Sequence, residues 1–195
     1  MAAWSDLGAL CRRGYGPDPQ HLLPAAAFAL AELHAAGVAH GDLNSRDILV
    51  DDHGTVGFID FESGVVLGDP APVNLMTYVA WALAAPERFH RVPDGCRPRA
   101  TPAGDQYTLA ALFHRLLTGS LPRDNPPGVG PRNPPPSVPA RNLTGEAAER
   151  WPLLPAVLAT ALSRDPAHRH PTSWNFAHGI AHAMVNAGTE YPPTP

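Results

Sequence analysis

HGDLNSRDILV at residues 40–50, followed by GFIDFESG at residues 57–64, is the stretch that decides how this chain folds. Its two key acids, Asp42 and Asp60, lie eighteen positions apart, each beside a short apolar run and a tight turn. Such spacing suits a strand–turn–strand unit in which one carboxylate orients a nucleophile and the other holds a metal. The apolar runs 48–50 and 56–59 flank Asp51-Asp52-His53-Gly54, which predicts a small hairpin with an Asp/Gly turn. Residues 40–47 then form a loop pinned between a helix and a strand, a good place for positioned side chains. Only 39 residues precede this unit, and they hold no glycine-rich phosphate loop and no strand-borne lysine.

Helices surround the hairpin. Leu22, Ala26, Ala29, Leu30 and Leu33 recur at helical spacing and predict a helix over about 21–36, closed by Gly37. The start is placed near His21 so that Pro24 falls in the first turn. A short helix is expected over about 74–84. A stronger one is expected over 103–118, with Thr101 as N-cap, Pro102 at its first position and Gly119 after its end. Leu109, Leu112, Phe113, Leu116 and Leu117 cover most of that helix, which predicts a buried central element. Seven prolines between 121 and 138 predict a stiff surface loop. Helices over about 154–163 and 173–187 follow, and residues 191–195 form a loose tail. The expected organisation is one domain over 1–190.

Composition excludes several classes. At 195 residues the chain can bury a real core, and alanine and leucine must supply much of it because aromatics are only 7%. A net charge of −4 and scattered arginines argue against a nucleic-acid partner. No run reaches the length of a membrane span, and the N-terminus lacks the pattern of a signal peptide. Cys11 and Cys96 make no ligand set and suit free thiols in a reducing, cytoplasmic setting. His178 and His182 share a helix face without a third ligand nearby, the pattern of a surface pair.

These motifs resemble the C-terminal lobe of the protein-kinase-like superfamily, as in bacterial serine/threonine protein kinases. HGDLNSRDILV is similar to the catalytic loop, and Asp60-Phe61-Glu62 to the D-F-G triplet. Ala85-Pro86-Glu87 resembles the A-P-E triplet, GDQYTLAALFHRLLTG at 104–119 the buried central helix, and LATALSRDPAHRHPTS at 158–173 a late segment of the lobe. The resemblance covers nearly the whole chain. It implies a mainly α fold with a small β-hairpin, ATP and Mg2+ as cofactors, and transfer of the γ-phosphate to a protein hydroxyl. By the same resemblance Asp42 is the catalytic carboxylate, and Asn44 stands where a lysine steadies the transferred phosphate. Asp47 and Asp60 are magnesium ligands, and Leu49 belongs with them in nucleotide binding. His40, Phe61, Glu87, Asp105 and Arg169 are structural, with Asp105 holding the catalytic loop and Arg169 pairing with Glu87.

Departures from the pattern are as informative as the matches. The glycine-rich loop and nucleotide lysine belong to an N-terminal lobe absent from this sequence, so an upstream lobe or partner chain is implied. Without it the chain is expected to be weak or inactive, and to carry an apolar patch beside the hairpin. Asp47 replaces an asparagine and brings charge repulsion toward Asp60 and the phosphates. Glu62 replaces the glycine of D-F-G, and Gly41 the arginine that reads a phosphorylated loop. Ala80 stands near the place of the threonine before A-P-E. HGDL, IDFE and Gly68-Asp69-Pro70 are also similar to small-molecule kinases of the aminoglycoside and choline type. A phosphotransferase, a pseudokinase that binds a partner, and a structural remnant all remain open on sequence alone.

Overall fold

The computed structural model describes residues 4–12, 18–69, 81–89, 99–124, 128 and 139–185. Among them the fold is mainly α, with two small antiparallel sheets. Strand β1 (Trp4–Asp6) leads directly into helix α1 (Leu7–Arg12), whose first turn is capped by Asp6 accepting from the Ala9 amide at 2.7 Å. Helix α2 (Pro19–Ala35) follows, then β2 (Val38–Ala39), β3 (Ile48–Asp51), β4 (Val56–Phe58) and β5 (Val65–Val66). After a 3-10 turn at Pro86–Phe89 come α3 (Pro102–Thr118), α4 (Glu146–Arg150), α5 (Leu154–Ala161), a second 3-10 turn at Pro166–His168, and α6 (Ser173–Met184).

The expected hairpin is present as β3–β4, with Ile48 opposite Phe58 and Val50 opposite Val56. The Asp51 side chain closes its turn by accepting from the His53 and Thr55 amides. Sequence inspection missed the third strand, β1, which pairs antiparallel with β3. A three-residue strand has no period of its own and exists only through its partner. The sheet buries Ile48 and Val50 on one face. Leu49 lies on the other, opposite Asp6 and Gly57.

Helix α2 starts earlier than expected, at Pro19. Asp18 accepts from the Gln20 amide at 3.0 Å, and Pro19 occupies the first helical position, where its missing N–H costs nothing. Pro24 therefore lies inside the helix, and the cap and the packed face outweigh its lost donor. The buried stripe is also broader than Leu22, Ala26 and Leu30 suggest. It includes Leu23, Ala27 and Ala31, while Ala29 and Leu33 are only half-buried. The cause is that α2 is wedged between α6 and the sheet, so it needs two apolar flanks. Gly37, at φ 81°, closes the helix as anticipated.

Helix α3 matches its expected bounds and caps. Thr101 accepts from the Gly104 amide at 3.0 Å, and Gly119 terminates it at φ 75°. Every residue from 104 to 114 is buried, so this helix is the axis of the core. Within the helix expected over 74–84, residues 74–80 lie outside the described residues, and 81–83 form a turn instead. Pro86 restricts the residues just before it, which is why no helix runs into Ala85. Helices α5 and α6 stop two and three residues short of expectation, and α4 was not anticipated. The tail and most of the proline-rich loop lie outside the described residues.

One ion pair locks the 3-10 turns to the core. Arg169 donates to Glu87 twice, at 2.8 and 2.7 Å, in a bidentate fork. It also donates to the carbonyls of Ala103 and Ser163 and lies 5.0 Å over the Tyr107 ring. The Arg169 side chain is fully buried. Removing it strands a carboxylate and several carbonyls, so Arg169→Met is expected to cost about 3–5 kcal/mol in urea unfolding. A loss below about 1 kcal/mol would mean that the pair contributes no more than an exposed one does.

Candidate active site

The loop at residues 40–47 is held at both ends by short strands. Before it, β2 pairs with β5; after it, β3 pairs with β4. This arrangement brings the turn at residues 59–64 alongside the loop. Two hydrogen bonds join them: the Ile59 amide donates to the Asp47 carbonyl at 3.0 Å, and His40 Nε2 donates to the Ile59 carbonyl at 2.8 Å. His40 is fully buried and packs 4.8 Å from the Phe61 ring and 6.2 Å from the Phe58 ring. Its Nδ1 accepts from the Asp42 amide at 3.4 Å, which assigns the proton to Nε2. His40 is thereby committed to scaffolding.

Asp105, in the first turn of α3, anchors the loop from below. Its Oδ2 accepts from the His40 amide at 2.7 Å and its Oδ1 from the Gly41 amide at 2.9 Å. Gly41 has φ 84°, and a Cβ there would meet the Ser63 carbonyl oxygen at 2.5 Å. A side chain at this position is therefore excluded by both backbone and contact. The half-buried Asp42 follows immediately.

Asp47 and Asp60 flank the same junction. Asp60 is exposed and has φ 65°, the one positive φ outside glycine among the described residues. Aspartate tolerates that conformation better than most residues. Asp47 is buried, and its Oδ2 accepts from both the backbone and the side-chain nitrogen of Asn44. Asn44 Oδ1 in turn accepts from the Arg46 amide at 2.9 Å, so the Asn44 amide is engaged inside the loop. Burial pushes the Asp47 carboxyl up to about 6, against the pull of His40 and the Asn44 amide, and the Asp60 charge adds to the push. Two carboxylates short of positive charge suit a hard cation with oxygen ligands. Among the described residues no third ligand completes a cluster, so any magnesium here would share its shell with phosphate oxygens and water.

Glu62 sits in an ordinary turn in which the Gly64 amide donates to the Phe61 carbonyl at 2.8 Å. The close approach falls on Gly64, where a Cβ would lie 2.9 Å from the Phe61 oxygen; Glu62 itself is exposed. Trp4, Ile59, Phe61, Val66 and Leu67 are exposed apolar residues around the two sheets. Trp4 lies against Gly57, on the Leu49 face. Glu87 and Arg169 are paired away from this junction, and Ala80 lies outside the described residues. His34 and Ser173 escaped sequence inspection; both touch the Asp105 network. A lone histidine in an alanine-rich helix carries no spacing signal.

The Asp47 carboxyl gives a pH-dependent test. The folded form keeps its proton up to about pH 6, whereas the ordinary value is 3.8. This group therefore costs stability as pH rises through that window, and the full cost is present above it. Asp47→Asn retains an oxygen for both Asn44 donors. In metal-free buffer it is expected to raise Tm near about pH 7.5 and to have little effect below about pH 3.5. An equal shift at both pH values would contradict this assignment. Gly41→Arg, by contrast, is expected to destabilise by about 2 kcal/mol or more at every pH.

Known proteins similar to this chain include several kinases. A family model described as the lipopolysaccharide kinase (Kdo/WaaP) family matches residues 1–66. The serine/threonine-protein kinase PknF of Mycobacterium tuberculosis is 31% identical over 187 residues, covering 89% of this chain and 36% of the relative. PknJ of Mycobacterium bovis is 32% identical over 183 residues, covering 87% and 29%. PknL of Mycobacterium tuberculosis is 30% identical over 161 residues, covering 80% and 39%. The chain thus spans about a third of the length of these curated relatives. Together these matches support a likeness of the chain to the protein-kinase-like superfamily.

Proposed function

We propose that this chain is the C-terminal lobe of a serine/threonine protein kinase-like phosphotransferase and forms the floor of its active site. The observation that carries this reading is the Asp105 carboxylate gripping the His40 and Gly41 amides directly beneath Asp42. Asp42 then orients the substrate hydroxyl and takes its proton as the oxygen attacks the γ-phosphorus, while the bond to the bridging oxygen breaks and ADP leaves. Asp60 and Asp47 would hold the metal, and Leu49 would lie beside the nucleotide. Charge neutralisation on the phosphates is what magnesium supplies when bound there. Asn44 braces Asp47 and so leaves the transferred phosphate without the lysine contact seen in the family's motif. The exposed apolar residues Trp4, Ile59, Phe61, Val66 and Leu67 favour a covering element, supplied by an upstream lobe or a partner chain.

A second reading has its own support. The match of residues 1–66 to a lipopolysaccharide kinase family and the HGDL form of the loop favour a small-molecule or sugar hydroxyl as acceptor.

The isolated 195-residue chain is expected to bind Mg·ATP weakly and to transfer phosphate poorly, because positioning and charge neutralisation must come from several sides. In equilibrium binding, Asp60→Ala should remove the magnesium-dependent part of ATP affinity, a loss of about tenfold or more. Affinity that does not respond to magnesium would overturn the metal assignment. With an N-terminal lobe restored, radiolabelled phosphate should reach a serine or threonine peptide and vanish with Asp42→Ala. Transfer to a sugar but not to a peptide would establish the second reading instead.

A further inference from the structure

The Asp105 carboxylate is itself held by a buried relay that spans three helices. His34, in the last turn of α2, places Nε2 3.0 Å from Asp105 Oδ2, the same oxygen that accepts from the His40 amide. His34 Nδ1 lies 2.5 Å from the Ser173 hydroxyl, at the first position of α6. The Ser173 oxygen also accepts from Gln106 Nε2 at 3.4 Å, and that amide reaches the His170 carbonyl at 3.3 Å. The His34 and Asp105 side chains are 6% and 3% exposed, so water does not substitute for these partners. For a singly protonated His34 ring, one proton arrangement satisfies every contact. Gln106 donates to Ser173, Ser173 donates to His34 Nδ1, and His34 donates from Nε2 to the carboxylate.

We propose that His34 and Ser173 are positioning residues for the loop that carries Asp42. Without a fixed donor on its outer side, a carboxylate can rotate about its last torsion and meet only one of the two loop amides well. His34 supplies that donor. Ser173 selects the tautomer that makes His34 a donor toward Asp105 instead of a second acceptor. The relay thus ties the start of α6 to the backbone under Asp42, and its bearing on phosphate transfer rests on the function proposed above.

Nuclear magnetic resonance of the full 195-residue chain tests this without any activity. The His34 ring should carry a proton on Nε2. His34→Ala should speed amide exchange at His40 and Gly41 by about tenfold or more, while the middle of α3 stays protected. His34→Gln, which keeps an amide donor toward Asp105, should restore most of that protection. Ser173→Ala is the gentler variant if His34→Ala does not fold. It should lose the single-tautomer signature and raise exchange at the same two amides. Unchanged exchange at His40 and Gly41, a ring protonated at Nδ1 alone, or a uniform loss of protection across α3 would each overturn the proposal. If the exchange effects appear and no phosphate transfer is ever found, the positioning role stands and the kinase reading fails.

Discussion

A single buried carboxylate sets the terms for this fold. Asp105 is almost wholly removed from water, and a charge there is tolerated only if donors replace its hydration. Three do so: the His40 amide, the Gly41 amide and His34 Nε2. The location in the first turn of α3 adds the favourable end of the helix dipole. The dependence runs both ways. The loop's amides are themselves buried or half-buried, and without Asp105 they would lack acceptors. Because α3 is the axis of the core, anything that moves it moves the loop. A rigid floor under Asp42 is thus a consequence of burying one charge at one helix start.

The second constraint is steric. Gly41 sits at φ 84°, against the Ser63 carbonyl, so the loop passes the 59–64 turn at backbone distance. Only glycine permits that approach. The contact and the Ile59–Asp47 hydrogen bond hold Asp60 beside Asp47. Asp60 takes the left-handed conformation on the exposed side of the same junction. The replacement at Glu62 matters little in this frame, because the tight position of that turn is Gly64. Asn44 has also found other work, since its amide stabilises the buried Asp47 carboxylate.

Much of this was legible in the sequence, and for physical reasons. Helix α3 declares itself through Thr101, Pro102 and Gly119, each fitted to one backbone conformation, and through apolar residues on most of its surface. The hairpin declares itself because Asp51 and Gly54 suit only a turn. What stayed hidden depends on partners far away in the chain. Strand β1 exists because β3 offers an edge. The early start of α2 rests on Asp18 outweighing Pro24, a balance that propensities alone do not settle. The relay through His34 and Ser173 joins residues 139 positions apart, and neither residue type announces itself. Asp42 and Asp60 were identifiable by spacing, and Asp47 through the resemblance to the kinase catalytic loop. Their unequal exposure, with Asp47 buried and Asp60 open, was not.

That inequality explains the character of the site. A buried carboxylate pushed up to about 6 and an exposed one beside it create a local deficit of positive charge. The described residues do little to correct it. His40 is spent on the Ile59 carbonyl, and Arg46 is exposed. A stable protein could have removed the conflict by placing an amide side chain at position 47, whose oxygen would still accept from both Asn44 donors. Retaining two acids at some cost in stability is what a site tuned to an external cation would do. The same logic applies to the apolar residues left open around the sheets, whose exposure costs solubility with no return in the isolated chain. On the function proposed above, both features fit one half of a site, with charge and cover arriving together on a nucleotide and the element that encloses it.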